Sequence, residues 1–356
     1  MYDNSCKCFH KSIYNQNPLI SIMTHKTLPT IYDVARASGV SIATVSRVLN
    51  DPHKVNEETR STVLTAIDRL GFVPKAEARA RALRSTGRIG VLTPFFTAQS
   101  FVQRLRGAAE VLSKHNYELV IYTVSSSVRL NAYLEILPIT HTLDGLIILS
   151  LQFSDQHAER LASHGLETVL VEYPHLTLNS IEIDDVAGGR QAAQYLVQKG
   201  YTSFGFAGDT TVPEFGIHPI TLRLAGFRQG LAEAGFELCA ENTLLVPYDM
   251  EASRLQGRQF LQRSDRPRAI FSATDLQAVG LLRAASDLGL KVPSEVAILG
   301  FDDLDLAEHV GLSTIRQHLD ESGRVAAELL LARLADPSRP IQHIHLPLTV
   351  ITRETA

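Results

Sequence analysis

Two hydrophobic rhythms divide the chain. Between Thr30 and Leu70 apolar residues recur at three- and four-residue spacing in short runs, the mark of small amphipathic helices. Thr30 is suited to cap a helix over Ile31 to Ala37, in which Ile31, Val34 and Ala35 share a face, and Gly39 breaks it. Ser41 offers a second N-cap for Ile42 to Leu49, with Val45, Val48 and Leu49 as the inward stripe. Asn56 caps a third helix, Glu57 to Leu70, whose stripe is Val63, Ala66, Ile67 and Leu70, and Gly71 ends it. Two short helices joined through a Gly-containing turn make a helix-turn-helix unit. The third closes a small core over it.

From Arg88 the rhythm changes to short, continuously apolar runs separated by helix-length segments. Arg88 to Thr93, Leu119 to Thr123, Gly145 to Leu149 and Thr168 to Val171 form one series, with a helix over Phe101 to His115. Runs near Ser203 to Ala207, Leu244 to Val246, Ala269 to Ser272 and Val296 to Leu299 form a second. Strands apolar along their whole length, alternating with helices, predict parallel sheets covered on both faces. Two series predict two doubly wound lobes. Before about Leu28 there is no consistent period, so this stretch reads as a tail, with Met23 the expected natural start.

Composition sharpens this picture at three points. The 356 residues suit two or three domains, and 45% apolar with 20% charged residues is the balance of a globular chain. No run of 18 apolar residues is present and the three cysteines are too few for a disulfide framework, so a reducing cytoplasm is the expected setting. The net charge of -4 hides an asymmetry. Residues 24–88 hold eleven Lys and Arg against six Asp and Glu, whereas the chain from Ile89 onward holds 21 against 31. A basic head on an acidic body is expected where only the head meets phosphates. Cys6, Cys8 and His10 lack the second ligand pair of a zinc site, so neither a metal nor a cofactor is expected. No P-loop and no nucleophile elbow occurs, which places an enzyme last among the functions considered.

In open α/β sheets ligands lie beyond the carboxyl ends of the strands. Residues directly after the apolar runs are therefore the candidates: Pro94, Phe95, Phe96, Gln99, Ser100 and Phe101 after the first, Thr274 and Asp275 after Ala269 to Ser272, Asp302 and Asp303 after Val296 to Leu299. Carboxylates accept paired hydroxyls and aromatic faces cover a sugar ring, so these suit a polyol pocket. Asp275 and Asp303 are equally well explained as helix caps; Asp302 is the better ligand. On the second helix of the head, Ile42, Ala43, Ser46 and Arg47 lie off the apolar stripe, where a recognition helix meets base edges. Arg47 suits guanine O6 and N7, and Ile42 and Ala43 suit thymine methyls.

The head resembles that of the lactose-repressor (LacI/GalR) family of bacterial transcription regulators. The likeness is carried by Ile31-Tyr32-Asp33-Val34-Ala35, Gly39-Val40-Ser41, Thr44-Val45-Ser46-Arg47-Val48-Leu49-Asn50 and Gly71-Phe72-Val73-Pro74. It implies that Ile42, Ala43 and Arg47 read the major groove, that Thr30, Tyr32, Thr44, Ser46, Asn50 and Lys54 mostly hold phosphates, and that Ser41 also lies among the DNA-binding residues. It also implies a hinge helix after Pro74 that meets the minor groove through Lys75, Ala78 and either Arg81 or Leu83. Family members usually carry Asn and Leu where this chain has Lys75 and Arg81, so the apolar wedge is shifted to Leu83 or replaced by Arg81 reading groove width and potential; Leu83 is favoured.

The likeness extends to the chain's last residue. Arg223-Leu224-Ala225-Gly226-Phe227, Ala273-Thr274-Asp275, Gly300-Phe301-Asp302-Asp303 and Ser313-Thr314-Ile315-Arg316-Gln317 match the family and imply an effector site of Arg223, Thr274, Asp275, Asp302 and Gln317 facing Phe96, Ser100 and Phe101. Thr274 stands where many relatives have Asn; Asp184 and Asp185 are weaker candidates. The expected organisation is a tail at 1–28, a helix-turn-helix domain at 29–74, a hinge at 75–87 and a periplasmic-binding-protein-like body at 88–356. Its first lobe would comprise about 88–185 and 318–345, its second about 186–317 and 346–356. With no heptad tail, the partners implied are operator DNA, a small-molecule effector, foremost a sugar, and a second copy in a homodimer, with no membrane. A periplasmic-type sugar receptor without regulatory DNA binding is the alternative. Titrating an operator against Leu83→Ala and Arg81→Ala should show the larger loss for Leu83→Ala; small, equal losses would remove both residues from the minor groove.

Overall fold

The computed structural model describes residues 29–50, 55–72, 85–209 and 213–356. The tail, Lys54, and the hinge positions Lys75, Ala78, Arg81 and Leu83 lie outside the described residues. The chain divides into two compact units, Met1–Ala78 and Arg79–Ala356.

The first unit holds α1 (Ile31–Ser38), α2 (Ile42–Asn50) and α3 (Glu57–Leu70). Each start has a local cause. The Asp33 carboxylate accepts from the Thr30 amide at 2.8 Å and from its hydroxyl at 2.7 Å. Ser41 Oγ accepts from the Thr44 amide at 3.1 Å, and Asn56 Oδ1 from the Thr59 amide at 2.8 Å. Gly39 and Gly71 end α1 and α3 in the left-handed region, φ 70° and 63°, where a side chain would be strained. Val34, Ala35, Val45, Val48, Val63 and Ala66 are buried together, so the three stripes meet in one core.

The second unit contains two six-stranded sheets. The first has the order β11-β5-β4-β3-β1-β2, from β1 (Arg88–Thr93), β2 (Glu118–Thr123), β3 (Gly145–Leu149), β4 (Glu167–Val171), β5 (Asn179–Glu182) and β11 (His343–His345), all parallel. The second is β12-β10-β9-β8-β6-β7, from β6 (Phe204–Gly208), β7 (Thr243–Leu245), β8 (Ala269–Ser272), β9 (Ala297–Asp302), β10 (Ser313–Arg316) and β12 (Thr349–Ile351). Here only β12 runs antiparallel, against β10. Each sheet has a buried cluster on either face. Of the helices that matter to the site, α4 (Gln99–Lys114) and α12 (Leu319–Ala335) pack together on the first sheet. On the second, α7 (Asp185–Gln198) pairs with α8 (Pro219–Glu233), and α9 (Met250–Leu261) with α10 (Asp275–Asp287). The remaining helices are α5 (Ser127–Thr140), α6 (Asp155–Ser163) and the short α11 (Asp305–His309). The chain passes between the lobes after β5, after β10 and after β11. No helix among the described residues is long and apolar enough to cross a membrane.

A matching close contact occurs in both lobes. A Cβ at Gly323 of α12 would overlap the carbonyl oxygen of Arg104 on α4, and one at Gly107 would overlap that of Asp320. A Cβ at Gly189 of α7 would likewise overlap the carbonyl oxygen of Arg223 on α8, and one at Gly226 that of Val186. In each lobe the helix begun just after a crossing is thus seated, without a side chain between, on the backbone of a buried arginine. Because the obstacle is backbone, Gly323→Ala and Gly189→Ala should each destabilise the protein by about 1–3 kcal/mol or more. Urea unfolding of the full chain measures this, and a change below about 0.5 kcal/mol would mean that the helix pairs slide freely.

Candidate functional site

On the head, burial of Val45 and Val48 turns the other side of α2 outward. Ile42, Ala43 and Arg47 are exposed there, with Thr44 and Ser46 half-buried beside them. Thr30 and Tyr32 are exposed at the start of α1, and Asn50 is the last residue of α2. Ser41 caps α2, its hydroxyl also 2.9 Å from that of Thr44. The face is a convex strip of small, apolar and cationic groups, suited to a major groove.

In the body, the carboxyl ends of the two sheets face one cavity of about 1070 Å³. Its first-lobe wall comes from the segment after β1 and the start of α4: Phe95, Phe96, Ser100, Phe101 and Arg104. Phe95 and Phe101 meet edge to face with ring centres 6.1 Å apart. Ser150 follows β3 and Glu172 follows β4. The second-lobe wall contributes Asp209, Phe215, Ile220, Arg223, Tyr248, Thr274 and Asp302, and Gln317 lies at the crossing after β10.

A chain of buried polar groups forms the floor. Glu172 accepts from the Ser150 hydroxyl and from the Arg104 guanidinium. Arg104 also donates to Gln317 Oε1 at 3.1 Å, and Gln317 Nε2 donates to Asp302. Asp302 lies 3.6 Å from Arg223, which donates to Asp185 Oδ1 at 2.7 Å and to the Ala273 carbonyl at 2.7 Å. The Arg223 guanidinium stacks on Phe301, 3.7 Å from the ring centre. Burial pushes the Asp185 and Asp302 carboxyls up to about 6, with Arg223 pulling the other way. Arg223 itself is raised: burial opposes its charge, but Asp185 and Asp302 outweigh that cost. Ser150, Glu172 and Asp302 all have positive φ, 54°, 70° and 123°. Three non-glycine residues with positive φ thus meet at one cavity, each held there by the surrounding structure.

The cavity brings together Phe96, Ser100, Phe101, Arg223, Thr274, Asp302 and Gln317. Asp275 does not join them. Its buried carboxylate accepts from the Leu304 amide at 2.8 Å and the Thr314 hydroxyl at 2.6 Å, tying α10 to β10 and the loop after β9. It sits at the first position of α10, so the helix turns it away from the cavity just after Thr274 enters the wall. Thr274 caps α10, its hydroxyl donating to Gln277 Oε1 at 2.9 Å. Asp184 caps α7 through the Ala187 amide, whereas Asp185 belongs to the floor. Asp303 pairs with Arg316 and Arg353. Arg104, Ser150, Glu172 and Tyr248 were not picked out from the sequence. For Ser150 and Glu172 the signal was present, since each directly follows an apolar strand run.

The known proteins to which the chain is similar agree with both halves of this description. Residues 30–75 match the bacterial regulatory proteins of the lacI family, and residues 193–356 the periplasmic binding protein-like domain. The ribose operon repressor of Escherichia coli is 31% identical over 335 residues, spanning 92% of this chain and all of that protein. Among solved structures, a complex of the transcriptional regulator CelR with cellobiose is 27% identical with a TM-score of 0.65, covering 92% of this chain and 100% of that one. A LacI family regulator from Enterococcus faecium with bound ribose is 25% identical with a TM-score of 0.65, covering 76% and 98%. The chain belongs to the lacI family of bacterial regulatory proteins. It is a DNA-binding transcriptional regulator, and the relatives are regulators rather than enzymes.

Removing the Arg223 cation strands two buried carboxylates, so Arg223→Met should cost about 3–5 kcal/mol of stability at pH 8. The loss should shrink at pH 5. Carboxyls at about 6 in the fold and near 3.8 when unfolded keep protons between those values that the unfolded chain releases. Their contribution to stability is full below that window and is lost as pH rises through about 6, and without Arg223 the folded values move higher still. Urea unfolding at the two pH values checks this; a loss independent of pH would mean that the carboxyls are not coupled to Arg223.

Proposed function

We propose that the protein is a cytoplasmic repressor that binds a near-palindromic operator as a homodimer and is controlled by a small-molecule effector, a sugar, in the cavity between the lobes. The observation that carries this reading is a single chain joining a lacI-type head to a cleft that has both aromatic walls and a floor of paired donors and acceptors. Relatives over nearly the full length include a ribose operon repressor and a regulator whose structure is a complex with cellobiose. Ile42, Ala43 and Arg47 read base edges; Thr30, Tyr32, Thr44, Ser46 and Asn50 hold phosphates and set the register. In the cleft, Phe96 and Phe101 cover the apolar face of a sugar ring, while Asp302, Gln317 and Arg223 meet its hydroxyls. The effector acts by binding the operator-competent and incompetent arrangements with different affinities. A periplasmic-type receptor has no use for the head, which favours the regulatory reading.

A gel shift with DNA from the gene's own neighbourhood tests it. For about 6–10 phosphate contacts, affinity should fall roughly 10³–10⁵-fold between 50 and 200 mM salt. Arg47→Ala should cost about 1–3 kcal/mol at one operator position and relax the preference there. Absence of a shift at low salt would overturn the reading, and equal weakening on all sequences would make Arg47 a phosphate contact.

A further inference from the structure

The floor of the cleft contains a buried guanidinium donor that the fold leaves unused. Arg104 is 2% exposed and lines the cavity, yet its Nε has no hydrogen-bond partner, although its guanidinium is engaged by Glu172 and Gln317. A buried N–H left unmatched costs about 1–3 kcal/mol, which a ligand oxygen would relieve. Its acidic partner is held deliberately. Glu172 keeps a left-handed backbone, φ 70°, and accepts from Ser150 as well as from Arg104. The couple therefore shows a ligand both a donor and an acceptor, with no net charge.

The same balance holds across the cavity. Its cationic lining residues among the described ones are Arg104 and Arg223; Arg223 is already paired with Asp185 and Asp302. Against these two cations stand Glu172 and Asp302 in the lining and Asp185 behind it. A phosphate or carboxylate entering this cleft would lose its water, find no free cation and face a surplus of carboxylate. A hydroxylated, uncharged ligand would meet paired donors and acceptors at no such cost.

We propose that Arg104 and Glu172 are a specificity-determining couple that reads the effector from the first lobe and restricts the cleft to uncharged polyhydroxylated molecules, excluding sugar phosphates and sugar acids. This deepens the reading of the cavity as an effector site and rests on it. The couple acts by contact for the donor and by charge cancellation for the exclusion, and the two roles separate by substitution.

The test uses the full chain, with thermal shift and calorimetry on ribose, glucose and cellobiose beside ribose 5-phosphate, glucose 6-phosphate and gluconate. The neutral sugar that binds should exceed its anionic counterpart by roughly 100-fold, as for a buried charge left unpaired. Glu172→Gln keeps an acceptor but frees the Arg104 charge, and should narrow that ratio by about tenfold or more through tighter anion binding. Arg104→Lys keeps the charge but loses the planar fork, and should weaken the neutral sugar about tenfold with the ratio nearly unchanged. An anion bound as tightly as its neutral parent by the wild-type chain would overturn the proposal. So would an unchanged ratio in a Glu172→Gln variant whose circular dichroism and operator shift match wild type. If none of the six compounds binds or alters the operator shift, the effector reading itself fails.

Discussion

Two guanidiniums cannot be carried into the interior of a protein without anions to meet them, and much of the body's architecture follows from that requirement. Arg104 and Arg223 reach the floor of the cleft from opposite lobes, and each is matched there by carboxylates, Glu172 for one, Asp185 and Asp302 for the other. An unmatched charge in such surroundings costs several kcal/mol, so the partners must be held in place. The fold holds them with strained backbone at the ends of β4 and β9 and with helix pairs seated glycine against arginine backbone. The positions of α7 and α12 are thereby tied to the charges they help to place.

Legibility from sequence followed the strength of the local signal. The head was readable because its caps and stripes sit within a few residues of one another; Thr30, Ser41 and Asn56 all start helices. The strands of each sheet with long apolar runs were equally plain. β5 and β10 were not, since Asn179–Glu182 and Ser313–Arg316 are four-residue strands with polar residues that tertiary pairing alone makes strands. β11 and β12 are three residues each and add edges to sheets whose other strands lie far back in the chain. In the cleft, residues following an apolar strand could be named, whereas Arg104 could not. It lies within a helix, where an arginine ordinarily faces solvent, and its burial depends on Glu172 and Gln317, which are remote in sequence. Asp275 failed for the opposite reason: position after a strand predicted the cavity, but one step along the helix turned it into the core.

The lobes are also joined at the rim. Gln103 and Arg106 of α4 both donate to Asp305 of α11, at 2.8 Å for each of the closer bonds, and Arg106 is held from its own side by Asp320. The Arg106 ion pairs, being half-exposed, contribute about 0–1 kcal/mol each, and salt screens them. With Arg104, Gln317 and Asp302 bridging the floor, the lobes have contacts that a ligand can favour or disrupt without breaking either core. That is the energetic scale on which a small molecule can shift the balance between two arrangements.

The threefold passage of the chain between the lobes bears on how the molecule is made. The first sheet lacks β11 and its covering helix α12 until residue 345 has been added, and the second lacks β12 until residue 351. The head, by contrast, is a separate compact unit finished within the first 78 residues. During synthesis from the N-terminus the domain that meets DNA has its full complement of residues long before either half of the sensor can close. The half-built lobes leave apolar strands uncovered throughout that interval, and the segment carrying β11 and β12 is the one that closes both sheets and ends the exposure to aggregation.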